Sequence, residues 1–248
     1  MQQYIARPND TLYLIAKQFD VPLAQLIKAN PQIKNPNMIN IGQTIIIPSM
    51  PEVPEGLGVI ESNAVSIIDD IYHEDWESSG NRVNGIRTAM NNVTPVLQAA
   101  EVPDNVITGL NATIRTLEQN IAQRRAYPAI SQANRITQIL GDVLDFFNVI
   151  IPPDVIRLVY FARQIIINVE QNDWAEAYQN YRRALSLWER LSPELQSNYT
   201  SDVNDFNQIL LSMNDAINKR DYQAGIDTAD RMLDMIDEIA TDFQQQNT

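Results

Sequence analysis

The chain has one histidine, His73, and no cysteine. Those two counts remove most metal and nucleophile chemistry. Without thiols there is no disulfide, no thiolate metal site and no cysteine nucleophile. One histidine cannot form the paired imidazoles of a helical zinc motif. Its neighbours Asp69, Asp70, Glu74 and Asp75 read as a solvated helix end. A second acidic set, Asp227, Asp230, Asp234, Asp237, Glu238 and Asp242, falls on one face of the last helical segment. It lacks the glycine-bearing loop of a calcium site. No metal or cofactor is therefore expected. Cleaving a glycosidic bond takes two carboxylates in a cleft. With 31 acidic residues in the chain, their presence singles out no pair. Trp76, Trp174, Trp188 and the tyrosines at the hairpin turns read as packing anchors, with sugar stacking by one of them as the alternative.

Two short polar stretches differ from this background. They are Asn9-Asp10-Thr11-Leu12 and Asn30-Pro31-Gln32-Ile33. Each sits between elements that would hold it in place. Gln3 to Arg7 reads as a strand. Thr11 can cap a helix whose apolar residues Leu12, Ile15, Ala16 and Phe19 recur at helical spacing. Val21-Pro22 ends that helix, because proline disfavours helical geometry in the residue before it. Leu23, Leu26 and Ile27 mark a second helix, stopped by Asn30-Pro31. A polar loop leads to Gly42 and to a β-branched run, Thr44 to Ile47, closed by Pro48. The order is β-α-α-β.

This stretch resembles the LysM module over nearly all of Gln3 to Pro48. The matching residues are Tyr4-Ile5-Ala6, Asn9-Asp10-Thr11-Leu12, Ile15-Ala16, Leu26 through Asn30, Asn35-Pro36, Ile39, Gly42-Gln43, Ile45, Ile47 and Pro48. Asn9 stands where glycine is usual, and asparagine is the residue that best tolerates positive φ in its place. Asn40-Ile41 stands where a proline often precedes the glycine. The resemblance implies binding of N-acetylglucosamine polymers, peptidoglycan or chitin, in a shallow groove between the two polar stretches. It makes Asn9, Asp10, Thr11, Leu12, Asn30, Pro31, Gln32 and Ile33 the candidate glycan-binding residues. Turn backbone would pair the N-acetyl amide while Leu12 and Ile33 shelter its methyl. The competing reading of the same residues is structural, with Asp10 and Thr11 as a helix cap and Leu12 as core.

The formal net charge is −13, unevenly spread. Residues 1–50 hold four basic and two acidic groups; the other 14 basic and 29 acidic groups lie in 51–248. Such a body should repel nucleic acid and anionic membrane. The most apolar run, Val155 to Val169, is interrupted by Arg157 and Arg163 and is too short to span a bilayer. No secretion signal precedes the first strand, so cytoplasmic synthesis without a visible signal peptide is expected.

Pro51, Pro54, Gly56 and Gly58 mark residues 50–58 as a linker. Everything after it is helical in pattern. An acidic or small residue followed by an aromatic recurs at the turns: Asp75-Trp76, Ala126-Tyr127, Asp173-Trp174 and Asp221-Tyr222. With an offset of about 98, then 96, identities line up between halves: Pro95 with Pro193, Arg124 with Arg220, Arg135 with Arg231, Phe147 with Phe243. The expected fold is multidomain: a small β-α-α-β LysM domain at 1–49, the linker, then an all-α region of two duplicated, four-helix-bundle-like units at 59–150 and 151–248. The apolar segment Val155 to Val169 should be central.

The expected function is non-catalytic attachment to a peptidoglycan or chitin-like glycan, with a protein partner on the acidic helical body. The place would be the cell wall or a spore surface. A wall-acting enzyme and a phage-tail or injection-apparatus component are the alternatives.

Overall fold

A computed structural model describes residues 2–19, 21–195 and 199–246. It divides into two compact units, Met1–Val53 with Leu144–Asn148, and Pro54–Val143 with Val149–Thr248.

The first unit holds strand β1 (Gln2–Ile5), helices α1 (Leu12–Gln18) and α2 (Leu23–Ala29), and strand β2 (Thr44–Ile47). The strands pair antiparallel, with Tyr4 opposite Ile45. Ala6 and Gln43 continue the ladder past the strand ends, and Gly42, at φ +83°, donates back to the Ala6 carbonyl at 2.8 Å. A positive φ is where glycine costs least, which explains the glycine there. Tyr4, Leu12, Ile15, Leu26, Ile33, Ile45 and Ile47 form one buried core. The segment Leu144–Asn148 belongs with this unit: the Asn148 amide donates to the Pro51 carbonyl at 2.8 Å.

The second unit is built from eight helices among the described residues: α3 (Glu55–Tyr72), α4 (Trp76–Ala99), α5 (Asp104–Ala122), α6 (Ala126–Leu144, its last residue counted with the first unit), α7 (Pro153–Glu170), α8 (Trp174–Leu191), α9 (Thr200–Lys219) and α10 (Tyr222–Gln246). The second half of the expected linker is helical. Pro54 precedes α3, and Glu55 suits the positive end of the helix dipole. Gly56 does not loosen the chain: a Cβ on it would overlap Val93 Cγ1, so it lets α3 and α4 approach closely.

One turn geometry ends α3, α5, α7 and α9, and it also ends α4, where Glu101 has φ 59° and the Val102 amide reaches back to Leu97. Glu74, Arg124, Asn172 and Arg220 all adopt left-handed φ, between 51° and 58°. After each, the next amide reaches back five residues to close the helix, as Asp75 does to Asp70, Arg125 to Asn120, Asp173 to Asn168 and Asp221 to Ala216. Asp75, Asp173 and Asp221 then cap the following helix by accepting from Ser78, Glu176 and Ala224. In the second hairpin Arg125 and Ala126 hold the positions of Asp75 and Trp76, so Tyr127 lies one residue later than the sequence pairing puts it. The left-handed residue fixes where the helix restarts, and that residue carries no side-chain signature here. Four residues past the cap stand Ser79, Ala129, Ala177 and Gly225, all small and buried. At Gly225 a Cβ would press on Val169 and Trp174.

Helices α7 to α10 share one core, from Val155 and Leu158 through Trp188 and Phe206 to Phe243. Trp188 lies 4.5 Å from Phe206 between ring centres and donates its indole N–H to Asn207. Helix α7 is central. It packs on α8 and α10, takes a hydrogen bond from Tyr72 of α3, and meets α6 through Asn134 and through the Arg157–Asp142 ion pair.

Candidate functional site: the loops of the β-α-α-β module

The first loop is braced by Asp10. One of its carboxylate oxygens accepts both the Tyr4 hydroxyl, at 2.8 Å, and the Arg7 amide, at 2.7 Å. Those bonds, the Arg7 amide first, hold the Asp10 carboxyl below its ordinary pKa, and the bond to Asp10, then burial, pushes the Tyr4 phenol up. Tyr4 is itself wedged edge-on against Phe19, with the Arg7 guanidinium over its ring. Thr11, not Asp10, caps α1: its hydroxyl accepts from the Leu14 amide at 3.1 Å. Asn9 adopts φ 69°, as the residue in the glycine position must.

The second loop is held by Asn30, which is 1% exposed. Its side-chain amide donates to the carbonyls of Leu26 and Ile46, at 2.8 and 2.7 Å. Its side-chain oxygen accepts from the Ile46 amide and from Gln32, at 2.7 and 2.9 Å. Asn30 thus joins the end of α2 to β2 through every polar atom of its side chain. Its own carbonyl accepts from the Ile33 amide.

The eight candidate residues separate by exposure. Leu12 and Asn30 are buried at 1% and Ile33 at 8%, and Leu12 and Ile33 lie in the same core, which draws the two loops onto one foundation. Asn9, Thr11, Pro31 and Gln32 are exposed and Asp10 is half-buried. These five residues and the loop backbone are what the two stretches offer to a ligand. Sequence reasoning passed over the apolar residues the module exposes, Tyr13, Leu14, Met38 and Ile41. Tyr13 and Leu14 break the amphipathic pattern of α1, which was the available signal there, while Met38 and Ile41 lie in the loop before β2.

Among the described residues no three His, Asp or Glu side chains are placed to hold a metal ion. His73 Nδ1 donates to the Asp69 carbonyl of its own helix at 2.8 Å. No described helix is long and apolar enough to cross a membrane.

Residues 4–48 match the model of the LysM domain family. An endolysin of Bacillus phage PZA is 49% identical over 43 residues, 17% of each chain. The secreted LysM effector ECP6 of Passalora fulva is 33% identical over 96 residues, 37% of this chain and 39% of the effector. The N-acetylmuramoyl-L-alanine amidase XlyA of Bacillus subtilis is 45% identical over 56 residues, 22% of this chain and 18% of the amidase. The chain thus spans well under half the length of each relative. No solved structure matches. Residues 4–48 of this chain form a LysM domain.

Proposed function

We propose that this protein attaches without catalysis to an N-acetylglucosamine polymer of the peptidoglycan or chitin type, and that the loops Asn9–Leu12 and Asn30–Ile33 make the contact. The observation that carries this reading is the LysM match over residues 4–48, with both loops braced from beneath by Asp10 and Asn30. Backbone groups and the exposed Asn9, Thr11 and Gln32 would pair the N-acetyl amide and hydroxyls. The acidic helical body would present a surface to a protein partner, at a cell wall or spore surface. The matched turns of α3–α6 and α7–α10 support reading that body as a duplication.

Co-sedimentation of the full chain with insoluble peptidoglycan and with chitin tests the reading. Binding that Gln32→Ala weakens, with the fold intact, is expected; full binding by a chain whose two loops have been replaced would overturn it. Two of the relatives are named as enzymes, an endolysin and an amidase, which keeps a wall-acting enzyme as the second reading. Release of reducing sugars or free peptide ends from purified wall would decide for it.

A further inference from the structure

Each of the four helical-hairpin turns carries one group of a cluster anchored by the bond between Tyr72 and Glu170. Tyr72 comes from the first turn, Tyr127 from the second, Glu170 from the third and Tyr222 from the fourth. Tyr72 donates its hydroxyl to the Glu170 carboxylate at 2.7 Å, across 98 residues of chain. The other two phenols lie within electrostatic reach of that pair. Burial, the bond to Glu170 and the charge of Glu170 push the Tyr72 phenol up, with Tyr127 and Tyr222 adding to it. Burial, then Glu170 and Tyr222, do the same to Tyr127. All three rings remain substantially exposed, at 47%, 38% and 53%. These are large amphipathic side chains that the fold gathers and leaves uncovered.

The carboxylate among them has no compensating cation among the described residues. Burial pushes the Glu170 carboxyl up, the Tyr72 bond pulls it down, and Asp230 adds a further negative charge. Asp230 is in turn pushed up by burial, then by Asp234 and Asp227. The surroundings are negative, the rings are exposed, and what is missing is a positive charge. Aromatic faces beside a carboxylate attract an ammonium group through the ring quadrupole as well as through charge. A neutral sugar would stack on the rings and donate hydroxyls to the carboxylate, but it brings no positive charge to offset Glu170 and Asp230.

We propose that Tyr72, Tyr127, Tyr222 and Glu170 form a docking site for a lysine ammonium presented by a basic polypeptide. The proposal deepens the reading of the helical body as the partner-binding part of the chain. It is independent of how the LysM domain meets a glycan.

The test is anisotropy of a fluorescent hexalysine peptide titrated with the full chain. It is run at about 150 mM salt, where screening over about 8 Å suppresses remote charges. Saturable binding is expected. Glu170→Gln, which can still accept from Tyr72, and Tyr222→Ala, at an exposed position, should each weaken it about five-fold, the size of one cation–π contact. Asp104→Asn removes the same charge from the far end of α5, roughly 27 Å away by helix rise. It should leave binding within about two-fold, as a screened remote charge does. Peptide acetylated on every side-chain amine should not bind. Absence of saturable binding overturns the proposal. So does equal weakening by Asp104→Asn, or retention by the acetylated peptide, since either reports charge or backbone recognition away from the cluster. The polymer co-sedimentation is unaffected by any of these outcomes, so the two readings fail separately.

Discussion

Asn30 and Ile46 exchange two hydrogen bonds, each of 2.7 Å, between a side chain and a backbone sixteen residues apart. That exchange makes Asn30 a clamp beneath the second candidate loop. Asn30→Ala should therefore weaken the fold first, and binding only as a consequence. Leaving the buried Ile46 and Leu26 groups unpaired costs about 1–3 kcal/mol. Hydrogen exchange should show lost protection at Ile46, while Gln32→Ala leaves that amide protected.

Asp10 gives a pH-dependent version of the same point. Its folded-state pKa is lowered, by the Arg7 amide and then the Tyr4 hydroxyl. Its contribution to stability is then fully present above the unfolded carboxylate value of about 3.9 and is lost as pH falls through the folded value. Asp10→Asn should lower the melting temperature of the module at neutral pH and make no difference in strong acid. Calorimetry of both proteins from neutral pH into acid checks this.

Asp242 has the opposite sign. Burial, then Asp202, raises its pKa to about 6, and one of its oxygens is buried without a partner. A raised carboxyl opposes folding once it ionises. The penalty builds between about pH 3.9, where the unfolded group titrates, and about 6, where the folded one does. Asp242→Asn can donate to Asp202. It should raise the melting temperature at pH near 8, where the penalty is complete, and give no gain below the unfolded value. An equal effect at both extremes would contradict this assignment.

The left-handed turns predict gains. Arg124 and Arg220 sit at φ 51° and 52°, where a non-glycine residue costs roughly 1–2 kcal/mol. Arg220→Gly should stabilise the chain by about 1 kcal/mol, since glycine is the preferred residue at that helix terminus. Chemical denaturation measures it.

Thr137 tests the buried face of α6. Its hydroxyl is buried, 1% exposed as a residue, and unpaired. Thr137→Val removes the unsatisfied group at constant shape and should be neutral or stabilising by about 1 kcal/mol. Asn134, nearly one turn earlier on α6, donates to the Tyr160 carbonyl and to Gln164, while its own Oδ1 is buried without a partner, so Asn134→Leu should destabilise, by less than two lost bonds alone would cost. Paired unfolding curves separate the two.

The LysM domain was legible because its signals are local. Thr11 caps the helix that begins at the next residue, the stripe from Leu12 to Ala16 spans little more than one turn, and Gly42 marks its own φ. Helix content after residue 54 was legible for the same reason, through apolar residues at helical spacing. Tertiary structure alone decided how the candidate loops are held. It assigned Asn30 to β2 and sent Leu12 and Ile33 into one core. It showed Gly56 to be a point of helix contact. It also placed Arg125 and Ala126, which share no chemistry with Asp75 and Trp76, at the equivalent turn positions. Each of these depends on groups far apart in the chain, or on a backbone conformation that asparagine, glutamate and arginine adopt alike. The meeting of Tyr72 with Glu170 is the extreme case, for 98 residues of chain separate two groups that only the packing of α3 against α7 brings to 2.7 Å.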